Sequence, residues 1–600
     1  MNKLKYIAVL AFLGTVGISE LGAQIKEEQL ILNRKREPEV KKIEKKKTSV
    51  VQEKNYPPDN KKKEDSLNLK YDIVNVPPVS DFKTTEIQGE DISPKFSNDY
   101  QSNYFRSGYG NYGKFLADAN ISGKIQDNVE IGADAHYLST SGLKKVYDWD
   151  SKQNEAKIGV FSNIYTETGK FNIDANYAFN NYNYYGIYAF EPGLSYENTN
   201  LTPFGNVDDL QQKVNKFSVN GYYDHYSNDI LNNVRVKSYF LSDHFGASEN
   251  YANADVNLSK HDFPVYDDIT ANGDLGINLE TVNSKFDILN KNTNNQFNFT
   301  LSPKVTFYKG DSYLLIGSDF SFLNSKNSNN VTEESKNNKF YWFPKAEVLF
   351  AAADEFKFYG GIDGGLKLNT YGNLLDENPF LISDLTLTPT ETKYHFYFGL
   401  KGDVEQTFKY DMNAGFSKVN NAQFFYNNNL FEANNADRPG YSYANTFSSI
   451  YDNGTLMEVK GDLQAFPMEN LTVDAGLHFM KYKLDNLEEV YYKPLFQFNL
   501  GAKYTMLEKK LNLGFKAYFV TDRTSNSYSV VTTFPMFGMQ ENVNEKVGGY
   551  ADLNLSAEYK LHKNFSIFAL GNNLLGAKYQ NYLGYKVLGA QVLAGVKITF

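Results

Sequence analysis

Cysteine is absent from the 600-residue chain. That excludes disulfide frameworks, cysteine-bearing zinc sites, thiol catalysis and lipid attachment through a thiol. Tryptophan is nearly absent, at 2 residues, and proline (17) is scarcer than glycine (43), a balance that suits many turns. After the N-terminus no stretch offers the ~20 uninterrupted apolar residues that a membrane-spanning helix needs. The formal charge is -10, whereas nucleic-acid binding wants a basic face, so no nucleic-acid partner is expected. What abounds is tyrosine and phenylalanine, 45 of each.

The N-terminus predicts export. Residues 1–23 begin with Lys3 and Lys5, continue through an apolar run at 6–18 and end in Leu21-Gly22-Ala23. This is the layout of a secretory signal peptide cleaved after Ala23, and the run is too short for an anchor. Residues 24–65 hold 13 Lys/Arg and 9 Asp/Glu, so 22 of 42 positions are charged and the net is +4. Such a segment buries too little apolar surface to offset its ordering entropy and is expected to be a disordered tail. Residues 66–101, with Pro77-Pro78 among short β-prone pieces such as Ile73-Val74-Asn75-Val76, read as an extended lead-in. Residues 66–600 carry a net -15, opposite in sign to the tail.

From residue 102 to 600 the chain alternates. In Ala551-Asp552-Leu553-Asn554-Leu555-Ser556-Ala557-Glu558-Tyr559-Lys560-Leu561 one parity is apolar and the other wholly polar. Side chains of a strand point alternately to opposite faces, so this is a two-faced strand. Segments 115–121, 129–137, 171–177, 471–479, 498–506 and 511–519 repeat the pattern. Many apolar-face positions are Ala or Gly, which suits contact with fluid lipid rather than a second protein layer. About 22 such segments form one series, and an open sheet of that size would leave exposed edges that closure removes.

Short connections at 467–470, 507–510 and 561–564 alternate with long polar ones at 432–446, 485–492 and 521–546. Tight turns at one end and long loops at the other characterise outer-membrane barrels, and abundant Tyr and Phe match their interfacial girdles. The expectation is an all-β transmembrane antiparallel barrel of about 22 strands, with about 20 to 24 admissible, in outer-membrane lipid. On the last strand Val592, Ala594, Val596, Ile598 and Phe600 share one face. Phe600, Ile598 and Val596 resemble the C-terminal signal read by the barrel-assembly machinery.

Gly571-Asn572-Asn573-Leu574, then Tyr579, then Gly584-Tyr585 and the closing strand resemble the final hairpin of TonB-dependent receptors. Val459-Lys460-Gly461, Pro467 and Leu471-Thr472-Val473 resemble an upstream strand pair of the same family. The motifs cover the last quarter of the chain, and the rest matches by pattern and size. The resemblance implies an outer-membrane receptor barrel that takes up a solute. One departure matters: the family carries a glycine-rich plug with an Arg-Gly pair, yet residues 24–107 contain one glycine, Gly89, and no such pair. The expectation is therefore a plugless barrel, with TonB-driven transport in doubt. Glu28-Gln29-Leu30-Ile31-Leu32 is a candidate contact for a TonB-type or other periplasmic partner within residues 24–65.

On the polar parity Glu130, Asp134, Asp174, Asp474, Asp552 and Glu558 are expected to face the lumen. His136, His478, Lys503, Lys516 and Lys560 are their basic counterparts. These charges would bias solute passage through a hydrated pore. A barrel this wide would leak if unobstructed, so inward loops, the lead-in or the basic tail are expected to fill it. No catalytic constellation stands out among the histidines, and Asp224-His225 and Asp243-His244 are adjacent strand residues that face opposite ways. Neither an enzyme nor a cofactor is expected. Solute transport is the leading reading; a non-transporting scaffold or envelope-assembly barrel, whose tail recruits periplasmic partners, is the alternative.

Overall fold

The computed structural model describes residues 103–600, apart from 145, 148, 188–208, 227–229, 267, 331–333, 405–406, 430–438 and 531–539. The expected signal peptide, charged tail with its 28–32 piece, and lead-in lie outside the described residues. Twenty-two strands form one antiparallel sheet that closes on itself. The circuit is completed where the first strand, Tyr104–Gly110, pairs with the last, Gln591–Thr599, from Tyr104↔Thr599 to Gly110↔Leu593.

The alternating sequence produces a wall that is inside out by the standards of a water-soluble protein. In the strand Tyr550–His562, Asp552, Asn554 and Glu558 are 3%, 1% and 8% exposed, while Leu555 and Tyr559 are 43% and 37% exposed. Phe297, Phe322, Phe340, Trp342 and Phe398 project outward in the same way. A continuous exposed apolar surface of this extent is stable against lipid, not water.

Tight turns join neighbouring strands at one end, as at 127–128, 310–311, 469–470 and 563–564. Gly310, at φ 57°, supplies the left-handed backbone that a two-residue hairpin demands. Both ends of the described chain lie here, with Phe600 N donating to Asn103 O at 2.9 Å. The opposite end carries the longer connections. The sequence at 108–113 reads as a turn or bulge; residues 108–110 end the first strand and a 3-10 turn follows at Asn111–Gly113, with Tyr112 and Gly113 at φ 57° and 61°. Within the long polar connection after residue 520, Arg523–Val530 pairs with Gln540–Val547 as a hairpin outside the barrel circuit.

Candidate functional site: the inner wall and the closed mouth

Antiparallel pairing lines up inward side chains in rows across strands. Asp474, Gly501, Lys516 and Asn554 form one row, and Asn120, Asp134, Gly159 and Asn176 another. Glu130 accepts from Asn163 Nδ2 at 3.1 Å, and Asp174 from Asn176 and Asn220 Nδ2 at 2.6 and 2.8 Å. Asp474 accepts from Gln464 Nε2 at 3.1 Å. Asp552 accepts from the Tyr579 hydroxyl at 2.7 Å, and Glu558 faces Lys597 Nζ at 3.4 Å. Lys503 and Lys560 share the inner parity but sit exposed near the turn end.

The two candidate histidines are held in networks rather than standing free. His136 Nδ1 contacts Asp118, which also binds Arg106, and His136 Nε2 lies 3.2 Å from Glu155. These charges alternate in sign across the first four strands, and Arg106 is paired across the closure with Lys597. His478 Nε2 lies 2.9 Å from Glu458, which also bridges Lys460 at 3.2 Å. Arg106, Asp118, Glu155 and Glu458 lie on the same polar parity without standing out in the sequence, and Lys460 belongs to the 459–461 motif rather than to the expected lumen set. Cross-strand register, not local pattern, brings them to the histidines.

At the loop end, the connection 368–389 between strands Phe356–Lys367 and Thr390–Val404 folds inward as a strap. It begins with a short helix, α1 (Tyr371–Glu377), capped by the Thr370 side chain, which accepts from Asn373 N at 3.0 Å. Two wall carboxylates hold it. Glu249, wholly buried, accepts from Tyr371 N and Gly372 N at 2.7 and 2.9 Å, Tyr239 OH at 2.8 Å and Ser284 Oγ at 2.6 Å. Asp243 accepts from Tyr371 OH at 2.8 Å, Gln212 Nε2 at 3.1 Å, Ala247 N at 2.8 Å and Ser383 Oγ. Residue 372 must be small: a Cβ there would lie 2.8 Å from the Tyr239 hydroxyl. Asp243 thus serves the strap, not a metal with His244.

Strap and loops pack together into one apolar cluster. Tyr184, Phe286, Tyr371, Leu381, Phe447, Tyr492 and Tyr582 are all 0% exposed within it. Tyr585 stacks on Phe380 at 3.5 Å between ring centroids and gives its hydroxyl to Asn445 O. Tyr184 OH donates to Leu381 O at 2.7 Å, and Tyr582 OH to Glu377 O at 2.8 Å. Burial raises the Tyr184 and Tyr585 hydroxyls and pushes Tyr147 up to about 12, so all three stay protonated donors at neutral pH. Among the described residues, inward-folded loops therefore pack together at the mouth. The abundance of Tyr and Phe that suits a membrane girdle has a second use that sequence alone does not show: outward tyrosines such as Tyr137 and Tyr559 face lipid, while Tyr184, Tyr582 and Tyr585 pack in the mouth. Among the described residues no group of three or more His, Asp and Glu is placed to hold a metal.

No protein-family model matches the sequence, and no curated protein matches it. Solved structures do. The ferric-catecholate import receptor Fiu of E. coli K12 superposes with a TM-score of 0.59 at 12% identity, over 83% of this chain and 82% of that one. FpvA of P. aeruginosa, solved with heterologous pyoverdines, gives 0.59 at 12% identity over 83% and 71% of the two chains. The copper transporter OprC gives 0.54 at 12% identity over 83% and 81%. At such identities the likeness speaks to the fold alone: the described residues form a closed 22-strand antiparallel barrel, as these receptors and this transporter do.

Proposed function

We propose that this chain is an integral outer-membrane barrel that carries a solute across that membrane, with its long loops outside and its tight turns in the periplasm. The single observation behind this reading is the inverted wall, a closed sheet with polar rows within and apolar side chains outward. The structural neighbours support it as receptors and transporters, and their different cargoes leave this chain's own cargo open. The charges predicted from the sequence, with Arg106, Asp118 and Glu458, would set the electrostatic bias of the lumen. Export by the signal peptide, assembly through Phe600, Ile598 and Val596, and a TonB-type or other periplasmic contact through residues 24–65 complete the proposal.

The test is fractionation followed by uptake. The mature protein should sediment with outer membranes and dissolve only in detergent, and proteoliposomes should pass polar solutes once the strap is loosened by Glu249→Leu. A mature chain soluble without detergent defeats the proposal. The packing of loops at the mouth favours a second reading, a non-transporting scaffold. That reading gains if the loosened variant stays impermeable while periplasmic proteins co-purify through residues 24–65.

A further inference from the structure

The strap is gripped along its backbone by a ladder of side-chain amides. Asn292, just before the strand Thr293–Lys309, and Asn294, Gln296 and Asn298 at its mouth end occupy alternate positions, 6%, 1%, 2% and 3% exposed. Asn292 Nδ2 donates to Asp384 Oδ1 at 2.6 Å. Asn294 makes a two-point contact: its Nδ2 donates to Leu385 O at 3.2 Å, and its Oδ1 accepts from Leu387 N at 3.1 Å. Gln296 Nε2 donates to Leu387 O at 2.8 Å, but Gln296 Oε1 has no partner, and neither does Asn298 Oδ1.

The pattern explains the vacancy at Gln296. In an extended chain the carbonyl of one residue and the N–H two residues on point the same way, so one side-chain amide can hold both. Asn294 does this with residues 385 and 387. Gln296 holds the carbonyl of 387, and its oxygen is due the N–H of 389. Residue 389 is proline and has no N–H. The strap therefore fills one rung completely and the next by half, while the Asn298 amide is turned to Thr300 Oγ1 at 3.1 Å.

We propose that this ladder is a binding track for the backbone of an extended peptide, and that the strap occupies it as an incompletely matched internal ligand. The rungs Asn294 and Gln296 touch only backbone atoms of the strap, so they set chain direction and register, not sequence. Selection falls to the side chains between rungs, and Leu385 and Leu387 are buried to 1% and 0% exposure. The ligand is an extended peptide with apolar residues at alternate positions and an N–H where the strap has Pro389. Naming such a peptide as cargo rests on the transport reading; the binding itself does not.

The experiment uses the full chain in detergent and two fluorescein-labelled octapeptides, one with the sequence of residues 383–390 and one carrying Pro389→Ala, read by anisotropy. The alanine peptide is expected to bind saturably and about tenfold tighter than the proline peptide, the loss of one hydrogen bond of about 1.4 kcal/mol. Gln296→Leu in the protein should erase that difference, and Asn294→Ala should weaken both peptides. Pro389→Ala in the protein, which gives the strap its missing donor, should weaken peptide binding and slow amide exchange in the strap. Absence of saturable binding, equal binding of the two peptides to the unaltered protein, or a difference that survives Gln296→Leu overturns the track. Binding that depends on Gln296 without entry of peptide into proteoliposomes keeps the track and overturns the transport reading.

Discussion

Replacing Glu249 with leucine is expected to release the strap while the barrel stands. Four donors converge on this carboxylate, two from the wall and two from the start of α1. The wall hydroxyls can turn elsewhere, since Tyr239 OH already lies 3.2 Å from Thr370 Oγ1. The backbone N–H groups of Tyr371 and Gly372 cannot, and each orphaned buried donor costs about 1–3 kcal/mol. Removing a buried negative charge returns part of its desolvation cost, so the lower end, about 2 kcal/mol, is the figure to expect. That corresponds to an opening equilibrium about 30-fold larger. Hydrogen exchange followed by mass spectrometry in detergent reads it directly: segment 371–387 should exchange faster by about that factor, with the strand Ser248–Tyr266 unchanged. Glu249→Gln, which keeps one acceptor oxygen, should fall between. Strap exchange within about threefold of the unaltered protein would refute the assignment of Glu249 as the holding group.

Arg106→Leu strips the buried Asp118 of its guanidinium at the barrel closure, at a cost of about 3–5 kcal/mol, and the folded band on unheated SDS gels should be lost at a lower temperature. Burial holds the Asp384 carboxyl above its ordinary 3.8, against the pull of its donors Asn290 N and Asn292 Nδ2. The docked strap therefore binds that proton more tightly: its hold is fullest below 3.8 and declines as pH rises through the raised value. Exchange corrected for intrinsic rate should show this, and Asp384→Asn should flatten it; a hold that strengthens with pH contradicts the sign. Tyr585→Ala removes a wholly buried ring stacked on Phe380, about 3–5 kcal/mol of mouth packing, and should appear as new single-channel openings in planar bilayers. Phe600→Ala should lower the amount of barrel reaching the outer membrane without changing the melting of what arrives; an unchanged yield argues against an assembly role.

How much could be read in advance depends on whether a feature is local. The faces of the wall are local: parity alone places Asp552 and Glu558 inside and Leu555 and Tyr559 outside, because lipid and water select opposite sides of each strand. The partners of those side chains are not local. His136 meets Asp118 and His478 meets Glu458 only in one register, and a slip of a single residue would turn every side chain to the other face. The strap is less legible still. Glu249 is 122 residues from Tyr371, and Asn294 is 93 from Leu387, so no window of sequence shows that an apolar connection is bound to a polar wall.

The tyrosines play two roles that composition does not separate, one on the outer face and one in the mouth. On the outer face, as at Phe297, Phe322 and Phe340, a phenylalanine ring meets lipid and needs nothing else, and in the mouth Phe286 and Phe447 fill space only. Loops folded into the mouth differ from strands in that their carbonyls have no ladder to join. A tyrosine there fills space with its ring and also supplies the missing donor, as Tyr184 does for Leu381, Tyr582 for Glu377 and Tyr585 for Asn445. The two rings are therefore not interchangeable in this chain. Exchanging Tyr for Phe is nearly free on the outward face but leaves a buried carbonyl unpaired in the mouth, at about 1–3 kcal/mol per site.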